Sequence, residues 1–361
     1  MAAVWNFSAG PARMPDAVLE RAGIALFARD ASGASALERP FTGDAFREVL
    51  AHAQQRLRQL LDLPEHYRIL FLAGGAMHQF SNVPHNLLGR SRIAAYADSG
   101  YWAKRAIGEA QRHAEVAIVA RHAGESPLAA PDCTDWQLPA GSAYCHITPN
   151  ETVEGIAYPE LPDCGDVPLV ADCTSCFLTA PLDISRFGLI YASAQKNIGP
   201  AGLTVLIVRE DLLAREASHV AAPFNYRLQA EQQSCVNTPP TLAIHLAAMV
   251  FDWLAESGGL PAMALANRQK AERLYAAIDH SGGFYTAPVQ VGHRSTSNVR
   301  FHLAEEDLTE SFIAAAALRG LTHLRGHRHI GGIRASLYNA MPEAGVIALV
   351  DFMADFAQRK G

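Results

Sequence analysis

Seven short apolar runs recur along the chain up to Val208, and most of them are separated by a stretch with helical spacing. The runs are nearly continuous rather than alternating, which is typical of strands that are covered on both faces. Such strands alternating with helices predict an α/β fold in which helices flank a mostly parallel, seven-stranded sheet. The predicted strands are Arg68–Leu72, Ile93–Ala97, Glu115–Ala120, Ala143–Thr148, Pro168–Asp172, Gly188–Ala192 and Leu203–Val208, and the predicted helices are Pro15–Ala28, Gly43–Leu61, Met77–Leu88 and Tyr101–Arg112.

The pattern changes after residue 240, where two long helices precede isolated strands and helices. The two are predicted over Thr241–Ser257, which Gly258-Gly259 ends, and over Leu260–His280. We therefore expect a large domain over 16–260 and a smaller α+β domain over 261–361, which also takes up the N-terminal segment 1–15. Its remaining predicted elements are the strands Ser297–Leu303 and Gly332–Leu337 and the helices Asp307–Arg319 and Glu343–Lys360.

Composition points to a globular protein that acts on small molecules. Of the 361 residues, 49% are apolar and 18% are charged, and the net charge of −6 is spread without long blocks. This balance argues against disorder and against a nucleic-acid or anionic-membrane surface. No apolar run reaches the roughly 18 residues of a membrane span, and the N-terminus has no signal-peptide pattern. The six cysteines are sparse, so we expect free thiols and a cytoplasmic location.

Cys173-Thr-Ser-Cys176 is a single Cys-x-x-Cys motif, and three interpretations of it stay open. It can be a chance occurrence in a segment of small buried residues, a redox pair, or part of a metal site. Metal is the weakest of the three because no second pair of ligands has zinc-like spacing. We predict no metal site.

Lys196 is the first candidate for covalent chemistry. The chain has four lysines against 26 arginines, and lysine, unlike arginine, can form a Schiff base or titrate near neutral pH. Lys104, Lys270 and Lys360 lie in polar helical stretches, which indicates solvated surface charges. Lys196 instead lies between two apolar strands among small residues, although a solvated loop lysine stays open as an interpretation.

Three further features follow strand ends, where α/β sheets bind ligands. Asp172 ends a buried strand, with a helix cap as its alternative role. Leu72–Met77 contains a glycine turn that opens a helix, which suits a phosphate unless it is a plain tight turn. Trp102 can stack on a planar ring or belong to the core. Together with Lys196, these features match what pyridoxal phosphate needs: a lysine for the aldehyde, a carboxylate for the pyridine nitrogen and amides for the phosphate.

Four longer motifs resemble the phosphoserine aminotransferase family, and the resemblance runs from about residue 5 to the C-terminus. The motifs are Asn6–Ala12, Ser193–Gly202, Asn237–Pro240 and Gly326–Pro342. The resemblance implies a fold-type-I pyridoxal phosphate enzyme that forms a homodimer with active sites at the subunit interface. It also implies that 3-phosphohydroxypyruvate and glutamate are interconverted with phosphoserine and 2-oxoglutarate in serine synthesis, often with a second use in pyridoxine synthesis.

Carried over residue by residue, the resemblance implies that Lys196 forms the Schiff base and that Asp172 is the partner of the pyridinium nitrogen. Trp102 would stack on the ring, and Thr152 would contact the cofactor. Arg334 would hold the substrate α-carboxylate as a bidentate fork. Gly75 would also bind the cofactor. The cofactor phosphate would be bound by Ala76, Met77 and Gln195, with Asn237 and Thr238 from the other subunit, and the substrate phosphate would be bound by His327 and Arg328.

Two departures from the family's pattern concern the substrate anion. This chain has Phe41-Thr42 where the family usually has a His-Arg pair, so Thr42 is the candidate ligand at that position. Thr296 stands where the family commonly has another arginine, and Arg39 can compensate if its loop shifts. The loss of a charged hydrogen bond costs about 1.5–3 kcal/mol.

Two alternatives to a phosphoserine transaminase therefore stay open. One is a paralogue of the same chemistry that is retuned to a less anionic amino acid. The other is a cofactor-binding protein that does not transaminate, and the retention of Lys196, Asp172 and Arg334 argues against it.

Overall fold

The computed structural model describes residues 3–122, 124, 127–215, 217 and 219–360, so residues 1, 2, 123, 125, 126, 216, 218 and 361 of the predicted domains lie outside the described chain. The helices are α1 (Asp16–Phe27), α2 (Asp44–Leu60), α3 (Ala76–Leu87), α4 (Tyr101–Ala110), α5 (Glu210–Leu213), α6 (Tyr226–Glu231), α7 (Thr241–Glu256), α8 (Gly259–Asp279), α9 (Leu308–Leu318) and α10 (Glu343–Lys360). The strands are β1 (Trp5–Asn6), β2 (Tyr67–Ala73), β3 (Ile93–Asp98), β4 (Glu115–Arg121), β5 (Cys145–Ile147), β6 (Asn150–Glu151), β7 (Ile156–Ala157), β8 (Leu169–Asp172), β9 (Leu189–Ser193), β10 (Leu203–Arg209), β11 (Tyr285–Thr286), β12 (Asn298–Leu303), β13 (Leu321–Thr322) and β14 (Ile333–Ser336).

The seven predicted apolar runs form one sheet with the order β2-β10-β9-β8-β5-β3-β4, which confirms the predicted fold class. Neighbouring strands from β9 to β4 are parallel, whereas β10 runs antiparallel to both β2 and β9. All residues of β5, β8 and β9 are buried, because helices cover both faces of the sheet. The carboxyl ends of β8 and β9 therefore meet at one edge, where Asp172 and the Lys196 segment lie.

Helices form an apolar core on each face of this sheet. Residues of α1, α2 and α7, such as Val18, Leu50 and Phe251, pack on one face. Residues of α3, α4 and α6, such as Phe80 and Ile107, pack on the other face. In the described part of the chain, no helix is long and apolar enough to cross a membrane.

One edge of the sheet, strand β2, is partly covered by side chains rather than by another strand. Three outward-facing backbone groups of β2 are hydrogen-bonded in this way. Arg58 Nη2 donates to Tyr67 O at 2.8 Å, Gln54 Nε2 donates to Ile69 O at 3.4 Å, and the N–H of Phe71 donates to Ser234 Oγ at 2.9 Å.

The C-terminal part has its own antiparallel sheet, β11-β12-β14, packed against α8, α9 and α10. Its elements confirm the helices and strands predicted after residue 240. Helix α8 is shared between two cores: Leu260 and Met263 pack with the large sheet, whereas Leu274 and Ile278 pack with the C-terminal sheet.

The N-terminal segment connects the C-terminal part to the Lys196 segment. Strand β1 pairs in parallel with β13, and Phe7 O accepts the N–H of Ser336 at 3.2 Å. The N–H of Ala12 then donates to Gln195 O at 2.8 Å. Residues 5–12 thus run from one core to the loop that carries the candidate lysine.

Lys270 corrects an expectation, because it is not a solvated surface charge. It is 3% exposed, and its Nζ donates to the carbonyl oxygens of Leu337, Tyr338 and Met341 at 3.0, 3.1 and 2.9 Å. Lysine is tolerated there because three backbone acceptors replace water around the ammonium. Lys104 and Lys360 are exposed, as predicted.

Candidate active site

Lys196 follows β9 and is only 9% exposed, so the interpretation as a solvated loop lysine is wrong. Its Nζ is 2.5 Å from Thr152 Oγ1 and 5.8 Å from the centroid of the Trp102 ring. Burial lowers the pKa of Lys196 to about 8, with the charge of Asp172 opposing this shift and that of Arg334 adding to it. Part of the Lys196 population is therefore neutral near physiological pH.

Asp172 is the last residue of β8 and is buried. Its Oδ1 accepts the N–H of Thr174 at 3.0 Å, and no α-helix begins directly after it in the described chain, so it caps a turn rather than a helix. Burial raises the pKa of Asp172, and the Thr174 hydrogen bonds and the charge of Lys196 act against this. The Thr174 hydroxyl also accepts the N–H of Ser193 at 3.2 Å, which joins the two strand ends.

The glycine turn lies between β2 and α3. Gly74 has a φ of +108°, and a Cβ atom there would collide with the ring of His78, so glycine is required. His78 Nδ1 accepts the N–H of Gly75 at 3.0 Å. The N–H groups of Ala76 and Met77 have no acceptor in the described chain, as is usual for a first helical turn, and can therefore receive a phosphate.

Gln195 lies beside this turn. Its Oε1 is hydrogen-bonded to Ser193 Oγ, and a Cβ atom on Gly75 would be 3.4 Å from the same hydroxyl. The structure therefore brings Gly75, Ala76 and Gln195 together, while the Met77 side chain is 45% exposed.

Two glutamates that the sequence analysis did not identify accept backbone N–H groups at the N-terminus of α4. Glu151 accepts the N–H groups of Trp102 and Ala103 at 3.0 and 2.9 Å, and Glu154 accepts that of Tyr101 at 3.0 Å. Burial, and then the neighbouring Glu154, raises the pKa of Glu151. Carboxyl groups favour helix N-termini, and these two hold the first turn that carries Trp102. Their signal in the sequence is a pair of glutamates close to Thr152.

Arg334 lies on β14 opposite Arg300 of β12. Burial lowers the pKa of Arg334, and Tyr338 acts in the opposite direction. The Tyr338 hydroxyl, also missed from the sequence, donates to Ala9 O at 3.0 Å and accepts from Asn298 Nδ2 at 3.1 Å. It therefore ties the strand of Arg334 to the N-terminal segment.

His327 and Arg328 lie in the loop between β13 and β14. The His327 ring is 4.8 Å from the Tyr101 ring, measured between centroids, which places it next to the first turn of α4. Burial, followed by the charge of Arg334, lowers the pKa of His327. Arg328 is exposed.

Thr42, Asn237 and Thr238 are not brought to this site. All three are exposed, and no hydrogen bond in the described chain joins them to Lys196 or Arg334. Thr42 instead lines a cavity of about 380 Å³, together with Phe41, Arg47, Gln233 and Cys235 among others.

Arg39 and the Cys-x-x-Cys motif also have defined surroundings. Arg39 Nε is 3.3 Å from Asp30 Oδ2, so its charge faces a carboxylate. Cys173 is buried and Cys176 is half-buried, with the pKa of the Cys173 thiol raised by Cys176 and by burial. The described residues contain no group of three or more His, Cys, Asp or Glu that could hold a metal ion.

Three buried polar atoms of the site have no hydrogen-bond partner in the described chain: Trp102 Nε1, His327 Nδ1 and Arg334 Nε. Buried polar groups are generally satisfied, so each of these atoms calls for a partner that the chain does not supply. Together with the open amides of Ala76 and Met77, they suit an anionic ligand that lies beside Trp102.

Comparisons with known proteins cover the whole chain. The family model described as Aminotransferase class-V matches residues 4–349. A phosphoserine aminotransferase of Acidithiobacillus ferrooxidans is 49% identical over 99% of both chains. The structure of a phosphoserine aminotransferase from Bacillus circulans subsp. alkalophilus is similar with a TM-score of 0.95, at 41% identity over 99% of both chains. The pyridoxal-phosphate-bound enzyme of Trichomonas vaginalis has a TM-score of 0.93, at 38% identity over 98% of this chain and 100% of that one.

Proposed function

This chain belongs to the class-V aminotransferase family, and on that premise we propose that it is a phosphoserine aminotransferase with pyridoxal phosphate as its cofactor. The proposed reaction interconverts 3-phosphohydroxypyruvate and glutamate with O-phosphoserine and 2-oxoglutarate, in serine biosynthesis. The observation that carries the proposal is the buried Lys196 beside Thr152 and Trp102, in a chain 49% identical over its length to a protein of that name.

The donors of the site suit pyridoxal phosphate. When bound, this cofactor supplies an aldehyde that a lysine can hold covalently and a ring that takes up electrons from the substrate. We assign Lys196 to the aldehyde, Asp172 to the pyridine nitrogen and Trp102 to the face of the ring. The cofactor phosphate is assigned to Gly75, Ala76, Met77 and Gln195.

Lys196 holds and moves a proton at Nζ. Its pKa of about 8 leaves a neutral fraction near physiological pH, as a general base requires. The Thr152 hydroxyl, at 2.5 Å, orients Nζ. Arg334 presents a planar fork for the α-carboxylate, and its burial strengthens that pairing because little water competes.

A homodimer follows from this proposal. Thr42, Asn237 and Thr238 are exposed and form no hydrogen bond with Lys196 in the described chain, which supports their contribution to the site of a second subunit. In that arrangement Asn237 and Thr238 complete the cofactor-phosphate site, and Thr42 faces the substrate anion. A cytoplasmic location and a second use in pyridoxine biosynthesis belong to the same proposal.

The division into domains over 16–260 and 261–361, the latter with 1–15, is likewise proposed. It is supported by helix α8, whose first residues pack with the large sheet and whose last residues pack with the C-terminal one. The pairing of β1 with β13 supports placing the N-terminal segment in the smaller domain.

A transamination assay that compares phosphoserine, serine and glutamate tests the function. We expect phosphoserine to be a better donor than serine. Phe41→His with Thr42→Arg should lower the KM for phosphoserine about ten-fold, which is the value of one charged hydrogen bond.

Two results would favour the alternatives. Serine as the better donor, with no effect of the double change, would identify the retuned paralogue, which relatives at 46–49% identity over the full length do not favour. No spectral change of the loaded protein on adding glutamate would identify a protein that binds the cofactor without transaminating.

A further inference from the structure

The loop over residues 326–332, which we call the histidine loop, is held in a closed shape by its own backbone. The N–H of Gly326 donates to Gly332 O at 2.9 Å, and a Cβ atom on Gly326 would collide with Gly331 O, so the neck of the loop requires glycine. The N–H of Ile330 and that of Gly331 both donate to His327 O, at 3.0 and 2.9 Å. The loop is therefore a built feature with fixed attachment points.

Arg300 fixes the same loop from the neighbouring strand. Its Nη2 donates to Ile330 O at 3.2 Å and lies 2.9 Å from His302 Nε2. Because the main chain is held on both sides, the side chains of His327, Arg328 and His329 extend from one defined position.

Both histidines of the loop contact one aromatic ring. The centroid of the Tyr101 ring is 4.8 Å from that of His327 and 5.5 Å from that of His329, and the His329 ring is stacked on it with an interplanar angle of 27°. The two histidine rings are themselves 5.1 Å apart. Tyr101 is anchored in turn, because Glu154 accepts its backbone N–H.

These rings continue the active site outward from Lys196. Tyr101 adjoins Trp102, whose ring is 5.8 Å from Lys196 Nζ, and burial, followed by the charges of Arg334 and Arg328, lowers the pKa of His327. Several cationic groups so close together repel one another, and an anion between them relieves that repulsion. His327, whose pKa is lowered, is then a neutral donor beside cationic neighbours.

We propose that His329 is a substrate-binding residue that donates a hydrogen bond to the phosphate of the substrate, with Tyr101 as the platform that orients it. This inference rests on the proposed function for the identity of the substrate. A phosphate dianion is best bound by several charge-assisted donors, and Phe41-Thr42 supplies no cation. His329 adds a donor from the same loop that carries His327 and Arg328.

The test measures binding of inorganic phosphate to the holoenzyme by calorimetry, since the cofactor then covers the phosphate turn at α3. His329→Gln should raise the Kd for phosphate about ten-fold, as expected for one charge-assisted hydrogen bond. His280→Gln, which changes an exposed histidine at the end of α8, is the matched control and should leave the Kd unchanged.

Two variants of Tyr101 separate orientation from general damage. Tyr101→Phe keeps the ring and should bind phosphate like the wild type, whereas Tyr101→Leu should weaken binding as His329→Gln does. An unchanged Kd in His329→Gln, or equal losses in Tyr101→Phe and Tyr101→Leu, overturns the assignment.

Kinetics distinguish this inference from the proposed function. His329→Gln should raise the KM for phosphoserine with kcat unchanged and leave the KM for serine unaltered, and equal losses for both donors contradict a phosphate contact. A wild type that binds phosphate through His329 but does not transaminate phosphoserine would refute the proposed function and leave the phosphate site standing.

Discussion

Two lysines are buried in this molecule, and their surroundings differ. Lys196 donates to one hydroxyl, that of Thr152, and lies near the carboxylate of Asp172. Lys270 places all three ammonium donors on backbone carbonyls. Burial lowers the pKa of both, to about 8 for Lys196 and about 7 for Lys270. A lowered pKa therefore does not by itself distinguish these two lysines, whereas their hydrogen bonds do, because the Nζ of Lys196 has one in the described chain and that of Lys270 has three.

The largest expected effect comes from changing Lys196 to arginine. The guanidinium keeps the charge but neither forms the covalent bond nor gives up its proton, so kcat for phosphoserine should fall by about 10³-fold or more. Lys104→Arg, at an exposed position of α4, is the control and should change kcat little. Borohydride reduction of the wild-type holoenzyme should attach the cofactor to the peptide of Lys196. Attachment at Lys270 would show that Lys270, and not Lys196, is the reactive lysine.

Lys270→Met should affect stability instead of chemistry. Three buried carbonyls lose their donor, and we expect the free energy of unfolding to fall by about 3 kcal/mol, measured from urea unfolding of the holoenzyme. Arg273→Met, on the same helix, breaks only an exposed ion pair with Glu343 and should cost under about 1 kcal/mol. Equal stability of the two variants would show that Lys270 does not hold the loop of Leu337–Met341.

The pH dependence of stability sharpens the same contrast. Between pH 7 and 10.5 an unfolded chain keeps a proton on Lys270 that the folded chain has lost, so the unfolded state binds more protons and stability rises with pH. The gap in unfolding free energy between the wild type and Lys270→Met should therefore widen by up to about 1.4 kcal/mol per pH unit in that window. Lys196 is present in both proteins, so its own titration cancels. A gap that stays constant would show that the three carbonyl acceptors keep Lys270 protonated in the folded chain despite its burial.

The smallest expected effect concerns Asn197. It follows Lys196 in the sequence, and its side chain is hydrogen-bonded to the loop around Lys270. Its Oδ1 accepts the N–H of Asn339 at 3.0 Å, and Asn339 lies within the loop that Lys270 holds. Asn197→Ala should cost about 1 kcal/mol of stability, the usual net value of one hydrogen bond. A double-mutant cycle with Lys270→Met measures the link, and strict additivity would show that the two surroundings are independent.

The site at Lys196 could be predicted because its signals are local. Asp172, Lys196 and the glycine turn each follow a strand that reads as a continuous apolar run, and parallel strands bring such ends together. The partners of these residues could not be predicted in the same way. Tyr338 lies more than a hundred residues after Lys196, and its contact with Ala9 depends on the return of the N-terminal segment.

The prediction that Lys270 is a solvated surface charge was wrong for a physical reason. Its sequence neighbours are polar, yet it lies beside Ala271 and three positions after Asn267, on the face of α8 that is buried. Helical spacing places Lys270 on this buried face, but a lysine on an apolar face normally extends its ammonium to water. Its burial is tolerated only because the carbonyls of a distant loop accept its hydrogen bonds. The two-residue strands β6 and β7 were beyond prediction for another reason, since two residues show no period.

The covered edge of β2 has a consequence for how copies of this protein meet. An edge strand with open N–H and C=O groups is a template on which another chain can add a strand, and long-lived aggregates begin in that way. Here Arg58, Gln54 and Ser234 take three of the outward-facing groups of β2, so an incoming strand would have to displace the protein's own side chains at those positions. Growth of the sheet at this edge is thereby disfavoured, because a new strand would compete with the protein's own side chains for three of its backbone hydrogen-bonding groups.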